Sequence, residues 1–278
     1  MVAFLLADRT PGSPAPDNET RPGGGSRPLY YAANSDPLVE LVATQSWGQN
    51  PLNGRKIRVP QSALAEQESD GHLTIVLAPN NAKVAGEMVD LWEAQPVKEG
   101  KLLFGWGGPG NMTGTLLQSN GLSADAAGFD LQAGLVRGPE LKAGTIPHAL
   151  VVAVKDVKSS YVYPASHTDG ASGEVAAPAM GQRFYLAYSD AEIAALPFPP
   201  WKKAVLTALA HYGFYIGDSG NNTLGFLWET SSTGAGSAEP FVEIGREQGV
   251  PDSSGSYTFK LSEGVDWSRL RAVAPPAE

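Results

Sequence analysis

The sequence predicts a mostly-β protein, an antiparallel sandwich of the jelly-roll kind with one or two short helices. Three observations predict it. Short apolar runs, rich in β-branched and aromatic residues, alternate with Gly, Pro, Asn and Asp. Glycine and proline number 32 and 22 among 278 residues, well above the usual share of about 12% for the two together. Few stretches have a helical period. A layered α+β fold is the alternative.

The elements follow along the chain. Residues 8–28 are Pro, Gly and Ser with scattered charge and no apolar period, so residues 1–27 are expected to form a disordered or draped arm. Order is expected to begin near Leu29-Tyr30-Tyr31. A single domain is expected over 28–272, with 273–278 as a frayed tail. The runs Leu73–Ala78, Glu87–Glu93, Lys101–Trp106, His148–Val154, Ser160–Tyr163, Arg183–Tyr188 and Tyr257–Leu261 read as strands, and Pro79–Lys83 reads as a hairpin loop. Residues 107–147 read as long, Gly-rich and irregular, a kind of segment that often serves function. Ser189 before Asp190-Ala-Glu192 reads as the cap of a short helix that Pro197 stops. Trp201, Ala204, Val205, Ala208, Leu209 and Tyr212 share one helical face, with Pro199-Pro200 at its first turn and Gly213 at its end.

Composition removes several functions. The formal charge is −9 and there is no basic stripe, which argues against a nucleic-acid partner. No run approaches the length of a membrane span, so no membrane partner is expected. Met1–Ala7 lacks a basic region and soon reaches Asp8, which makes a poor signal peptide. Cysteine is absent, which excludes disulfides, thiol nucleophiles and thiolate zinc sites. Gly105–Gly110 lacks the lysine and following helix of a phosphate loop. No cofactor is expected. Asp218–Asn222 reads as a turn, with calcium held by its oxygens as the alternative.

Three sets of residues suit chemistry. The first is histidine. If the runs 148–154 and 161–167 pair with Val154 opposite Tyr161, then His148 faces His167, with Cβ atoms about 5 Å apart. Such a pair suits acid–base work, substrate bonding or metal binding, but no third ligand stands at a usual metal spacing. The second set is carboxylate. Glu93 is three residues from Asp90 and on the opposite strand face, so its expected partner is Asp125 or Asp130, as hydrolysis between two carboxyl groups requires. The third set is aromatic. The rings of Trp47, Trp92, Trp106, Tyr161, Tyr163 and Tyr185 suit the flat apolar faces of sugars, and Arg137 and Arg183 suit capture of a carboxylate. Each residue also has a plain alternative, as core aromatic, solvated acid or polar strand end.

Nine short motifs stand in order along the chain. They are Ser69-Asp-Gly-His72, Leu91-Trp-Glu93, Ser119-Asn120, Ala124-Asp-Ala-Ala-Gly128, Gly134-Leu-Val-Arg137, His148-Ala-Leu150, Tyr163-Pro-Ala165 with His167, Met180-Gly181 and the run Ala208–Asp218. Over about 69–222 the chain thereby resembles a largely uncharacterised family of β-rich bacterial proteins, many of them secreted. The resemblance implies an extracellular, polysaccharide-associated role and draws attention to Asp70, His72, Glu93, Asp125, Arg137, His148 and His167. It carries no established mechanism. The chain departs from the family at Val151-Val152, where Arg-Phe is favoured, and at Ser166, where Arg is usual.

These readings combine into one expectation, a glycan-cleaving enzyme acting on an oligo- or polysaccharide. Glu93, Asp125, His148 and His167 are its catalytic candidates. Trp92, Trp106, Arg137, Tyr163, Arg183 and Tyr185 are its substrate-binding candidates. Hydrolase stands ahead of lyase, because an acidic protein repels a polyanionic substrate. A non-catalytic carbohydrate-binding module and a structural or virion-surface β protein are the alternatives.

Overall fold

A computed structural model of the chain describes residues 1–7, 17–19, 27–66, 70–112, 122–220, 224–230, 240–253 and 256–275. Strand outweighs helix, 30% to 17%, so the chain is mostly β. It divides into two compact units. The first comprises Pro22–Ala133 and Glu229–Ser237; the second comprises Met1–Arg21, Gly134–Trp228 and Ala238–Glu278.

The chain opens in the second unit with α1 (Val2–Ala7) and β1 (Asp17–Glu19). It passes into the first unit for β2 (Arg27–Tyr31), β3 (Leu38–Ala43), β4 (Lys56–Arg58), β5 (Leu73–Val76), β6 (Glu87–Trp92), β7 (Lys101–Phe104) and β8 (Trp106–Asn111). The second unit resumes with α2 (Gly138–Ala143), β9 (Leu150–Val154), β10 (Arg183–Leu186), α3 (Asp190–Ala195), α4 (Pro200–His211), β11 (Phe214–Ser219) and β12 (Gly225–Phe226). Then β13 (Glu229–Thr230) returns to the first unit. The second closes with α5 (Pro240–Glu247), β14 (Asp252–Ser253), β15 (Ser256–Lys260), a 3₁₀ turn at Trp267–Arg269 and β16 (Leu270–Ala272).

In the first unit the strands order as β13-β2-β5-β6-β8 and β4-β3-β7. Leu41, Ile57, Ile75, Val89, Leu91, Leu102 and Phe104 form its fully buried core. β5 and β6 make the antiparallel hairpin whose connection contains the expected Pro79–Lys83 loop. Residues 107–111, expected to begin the irregular segment, belong instead to strand β8. Their glycines fit them to a close partner, since a Cβ at Gly107 would collide with the Asp90 carbonyl on β6. The pairs β2–β5 and β3–β7 are parallel, so the pairing is mixed rather than purely antiparallel. Parallel neighbours need a long crossover, and the β2–β5 crossover carries β3 and β4.

In the second unit the strands order as β12-β9-β11-β10-β16 and β1-β15-β14. α4 forms where the helical period places it and buries Trp201, Ala204, Val205, Ala208 and Leu209. α3 begins on the expected cap: Ser189 accepts from the Glu192 N–H while Glu192 reaches back to the Ser189 N–H. α1, α2 and α5 bring the α-helices to five among the described residues. The pairing expected between 148–154 and 161–167 does not form. β9 lies between β11, to which it is parallel, and β12. Tyr161 makes only an isolated bridge to Met180. The sequence Leu-Val-Val-Ala-Val of β9 is apolar on both faces, which suits an interior strand with parallel pairing.

Of the expected arm, Val2–Ala7 is helical and Asp17–Glu19 pairs with β15; residues 8–16 and 20–26 lie outside the described residues. So do Ser69, Ser119, Asn120, Asn221 and Asn222. Among the described residues no helix is long and apolar enough to cross a membrane.

Candidate functional site

The first unit presents a cluster of three tryptophans. Trp92 ends β6 and Trp106 begins β8, and the two are register partners, so their side chains share a face. Trp47 follows β3 and packs on both. Its ring centroid lies 5.6 Å from that of Trp92, stacked at 23°, and 5.7 Å from that of Trp106, tilted at 46°. Trp47 is 64% exposed, an unusual position for so large an apolar ring. Trp92 and Trp106 are half-buried. Their indoles form one aromatic surface.

Glu93 is fixed at the edge of this surface. It follows Trp92 with a left-handed backbone, φ 53°, which is uncommon for a side chain of this kind. Its N–H donates to the Asp70 carbonyl at 2.8 Å, and the Ala94 N–H donates to the Gly71 carbonyl at 2.9 Å. The Ser-Asp-Gly-His and Leu-Trp-Glu motifs therefore meet. Gly71 permits the approach, since a Cβ there would stand 3.3 Å from the Glu93 Cα. Gly105 permits a second one, since its Cβ would enter the space of Glu93 Oε2 and the Trp92 ring. Gln45 Nε2 donates to Glu93 Oε2 at 3.2 Å, and the Gln45 N–H donates to the Gly105 carbonyl at 3.3 Å. Among the described residues, Glu93 has no ion-pair partner and its Oε1 accepts no hydrogen bond.

Asp125 is placed differently. It is buried, and its Oδ1 accepts from the Ala127 N–H at 2.9 Å and the Phe129 N–H at 3.4 Å. This is the bonding of a turn-holding aspartate. Asp90 is fully buried, accepting from the Thr74 hydroxyl at 2.6 Å and the Leu131 N–H at 2.9 Å. Gln132 Nε2 donates to the same hydroxyl at 3.0 Å. His72 is buried with Nδ1 2.9 Å from Glu66 Oε2. Burial, aided by the Arg27 charge, holds the His72 imidazole well below its usual range. Burial also pushes the Glu66 carboxyl up. Both shifts oppose a full ion pair in a poorly solvated place.

The other candidates lie in the second unit. His148 precedes β9 and meets Glu140 of α2, with Nε2 3.1 Å from Oε1. Its Nδ1 donates to the Ala149 carbonyl at 2.9 Å. Burial opposes the imidazolium, but the bonds to Glu140 and Ala149 and the Glu140 charge outweigh it and raise the His148 pKa. Arg137 immediately precedes α2, and its charge acts in the opposite sense on His148. His167 has its Nδ1 3.0 Å from the Ser166 hydroxyl. The two histidines thus take separate local partners, not the facing strand positions expected for them. Tyr163 is 65% exposed. Arg183 Nε donates to the Tyr212 carbonyl at 2.9 Å, so this guanidinium caps the C-terminus of α4. Tyr185, exposed, is the register partner of Arg271. Asp218 belongs to β11, and its Oδ1 accepts from the Ser219 N–H at 3.0 Å. Among the described residues, no group of three or more His, Asp or Glu is placed to hold a metal ion.

The structure therefore gathers Trp92, Trp106 and Glu93 with Trp47 and Gln45. Sequence reasoning missed Gln45 and Glu140. Nothing local marks Gln45, because β3–β7 pairing brings it to the site. A faint signal for Glu140 exists in Gly138-Pro139, since proline suits the first turn of a helix. In comparison with known proteins, the chain matches no family, no curated protein and no solved structure.

Proposed function

We propose that the chain recognises an oligo- or polysaccharide on the Trp47–Trp92–Trp106 surface of its first unit. One observation carries this reading: three indoles share an exposed surface, with a carboxylate and an amide fixed at its edge. Aromatic faces cover the apolar faces of sugar rings, while polar groups at the rim bond their hydroxyls. The resemblance carried by the short motifs supports an extracellular setting.

Trp47→Ala tests it, because Trp47 is exposed and its loss should leave the fold intact. Binding is read by tryptophan fluorescence and calorimetry against a panel of soluble oligosaccharides. The variant is expected to bind at least about 10-fold more weakly than the parent. Equal binding by parent and variant, or no binding by the parent, sinks the proposal.

A second reading, cleavage of the bound glycan with Glu93 as acid or base, rests on the left-handed backbone at Glu93. Such conformations cluster where a catalytic group is held in place. New reducing ends in the same mixtures, lost in Glu93→Gln, are its signature, and ultraviolet-absorbing unsaturated products would mark a lyase.

A further inference from the structure

We propose that Glu93 makes the aromatic surface selective for neutral sugars bearing adjacent hydroxyls, and sets it against uronates; this rests on the glycan reading above. The carboxylate is built into the site from three directions. Asp70 and Gly71 hold its backbone left-handed, Gly105 leaves room beside it, and Gln45 fixes Oε2. It is half-buried against an aromatic wall, where a charged group loses hydration. Yet among the described residues it has no cation beside it and one hydrogen-bond donor on one of its two oxygens.

That pattern serves stability poorly and a ligand well. Oε1 has the geometry of an acceptor left for a donor that arrives with the ligand. A sugar stacked on the indoles carries hydroxyl donors at its rim, and two on neighbouring carbons can meet the two oxygens of one carboxylate. A uronate would bring a second negative charge to the same edge, with no cation among the described residues to offset it. Like charges placed close together at an interface are strongly disfavoured. Gln45 adds an amide whose oxygen accepts no hydrogen bond among the described residues and can accept from a further hydroxyl.

The test uses the full chain with neutral gluco-, xylo- and manno-oligosaccharides and with oligogalacturonate and oligomannuronate as probes. The parent is expected to bind at least one neutral oligosaccharide about 10-fold or more tightly than either uronate, with the gap narrowing as salt is raised, since added ions screen exposed charge. Glu93→Gln keeps the shape and removes the charge; it should weaken neutral binding and reduce the discrimination about 10-fold. Gln45→Ala keeps the charge and should weaken binding while retaining the discrimination. Uronates bound as tightly as neutral sugars, or full discrimination in Glu93→Gln, overturns the inference and leaves the aromatic surface standing if Trp47→Ala still weakens binding. No sugar binding by the parent overturns both.

Discussion

Glu140 favours the protonated form of His148. A neutral imidazole donating from Nδ1 to the Ala149 carbonyl would turn its Nε2 lone pair toward a carboxylate only 3.1 Å away. Taking up a proton removes that clash, so the folded-state pKa rises. A raised histidine pKa contributes stability that is fully present below its unfolded value, near 6.5, and is lost as pH rises through the folded value. Glu140→Gln should therefore cost up to about 1 kcal/mol at mildly acid pH, an upper bound because the pair is partly solvated. The cost should vanish in alkaline solution. Thermal melts from acid to alkaline pH, with the His148 ring followed by NMR, would check this; a cost independent of pH would mean that Glu140 acts through packing alone. The same residues bear on what sequence can reveal. His148 is conspicuous because histidines are few, whereas its partner sits on a six-residue helix too short to show a period.

Elements differ in how far they can be read in advance. α3 and α4 are legible because their signals are local: a capping serine with glutamate three residues on, and an apolar stripe bounded by proline and glycine. β9 is legible as a strand but not in its partners, because Leu150–Val154 offers apolar side chains to both faces and so fixes no register. β8 is hidden by its own glycines, whose purpose appears only when β6 lies beside it. Trp92, Trp106 and Glu93 stand out as aromatics beside an acid, but the arrival of Trp47 and Gln45 depends on a parallel pairing that no local signal states. The interval between β7 and β8 supplies a prediction at this scale. Gly105→Ala would press a methyl group against the Trp92 ring and the Glu93 carboxylate. Overpacking of this kind costs about 1–3 kcal/mol. The midpoint of urea unfolding should fall accordingly, and near-ultraviolet dichroism from the tryptophans should change. An unchanged midpoint and spectrum would show that Glu93 and Trp92 move aside at no cost.

At the scale of the whole molecule, the chain builds its two units in an interleaved order. Both the first and the last described segments belong to the second unit, and β13 returns from it to pair with β2. Regions with dense internal contacts tend to open as cooperative groups. Native-state hydrogen exchange is expected to sort the slow amides into two sets with different opening free energies, one spanning β2–β8 and one spanning β9–β11 and α4. A single opening energy for all of them would show that the units unfold as one. The parallel pair β9–β11 has a further consequence, for speed. Phe214 meets Leu150 and Ser219 meets Val154, so everything between residues 154 and 214 must be brought home as a closed loop before the central ladder zips. Ladders that join distant parts of a chain pay loop-closure entropy before any contact rewards it. The second unit should therefore acquire its helices early and its central sheet late. During that interval the apolar faces of β9 remain uncovered, and refolding yield should fall as protein concentration rises.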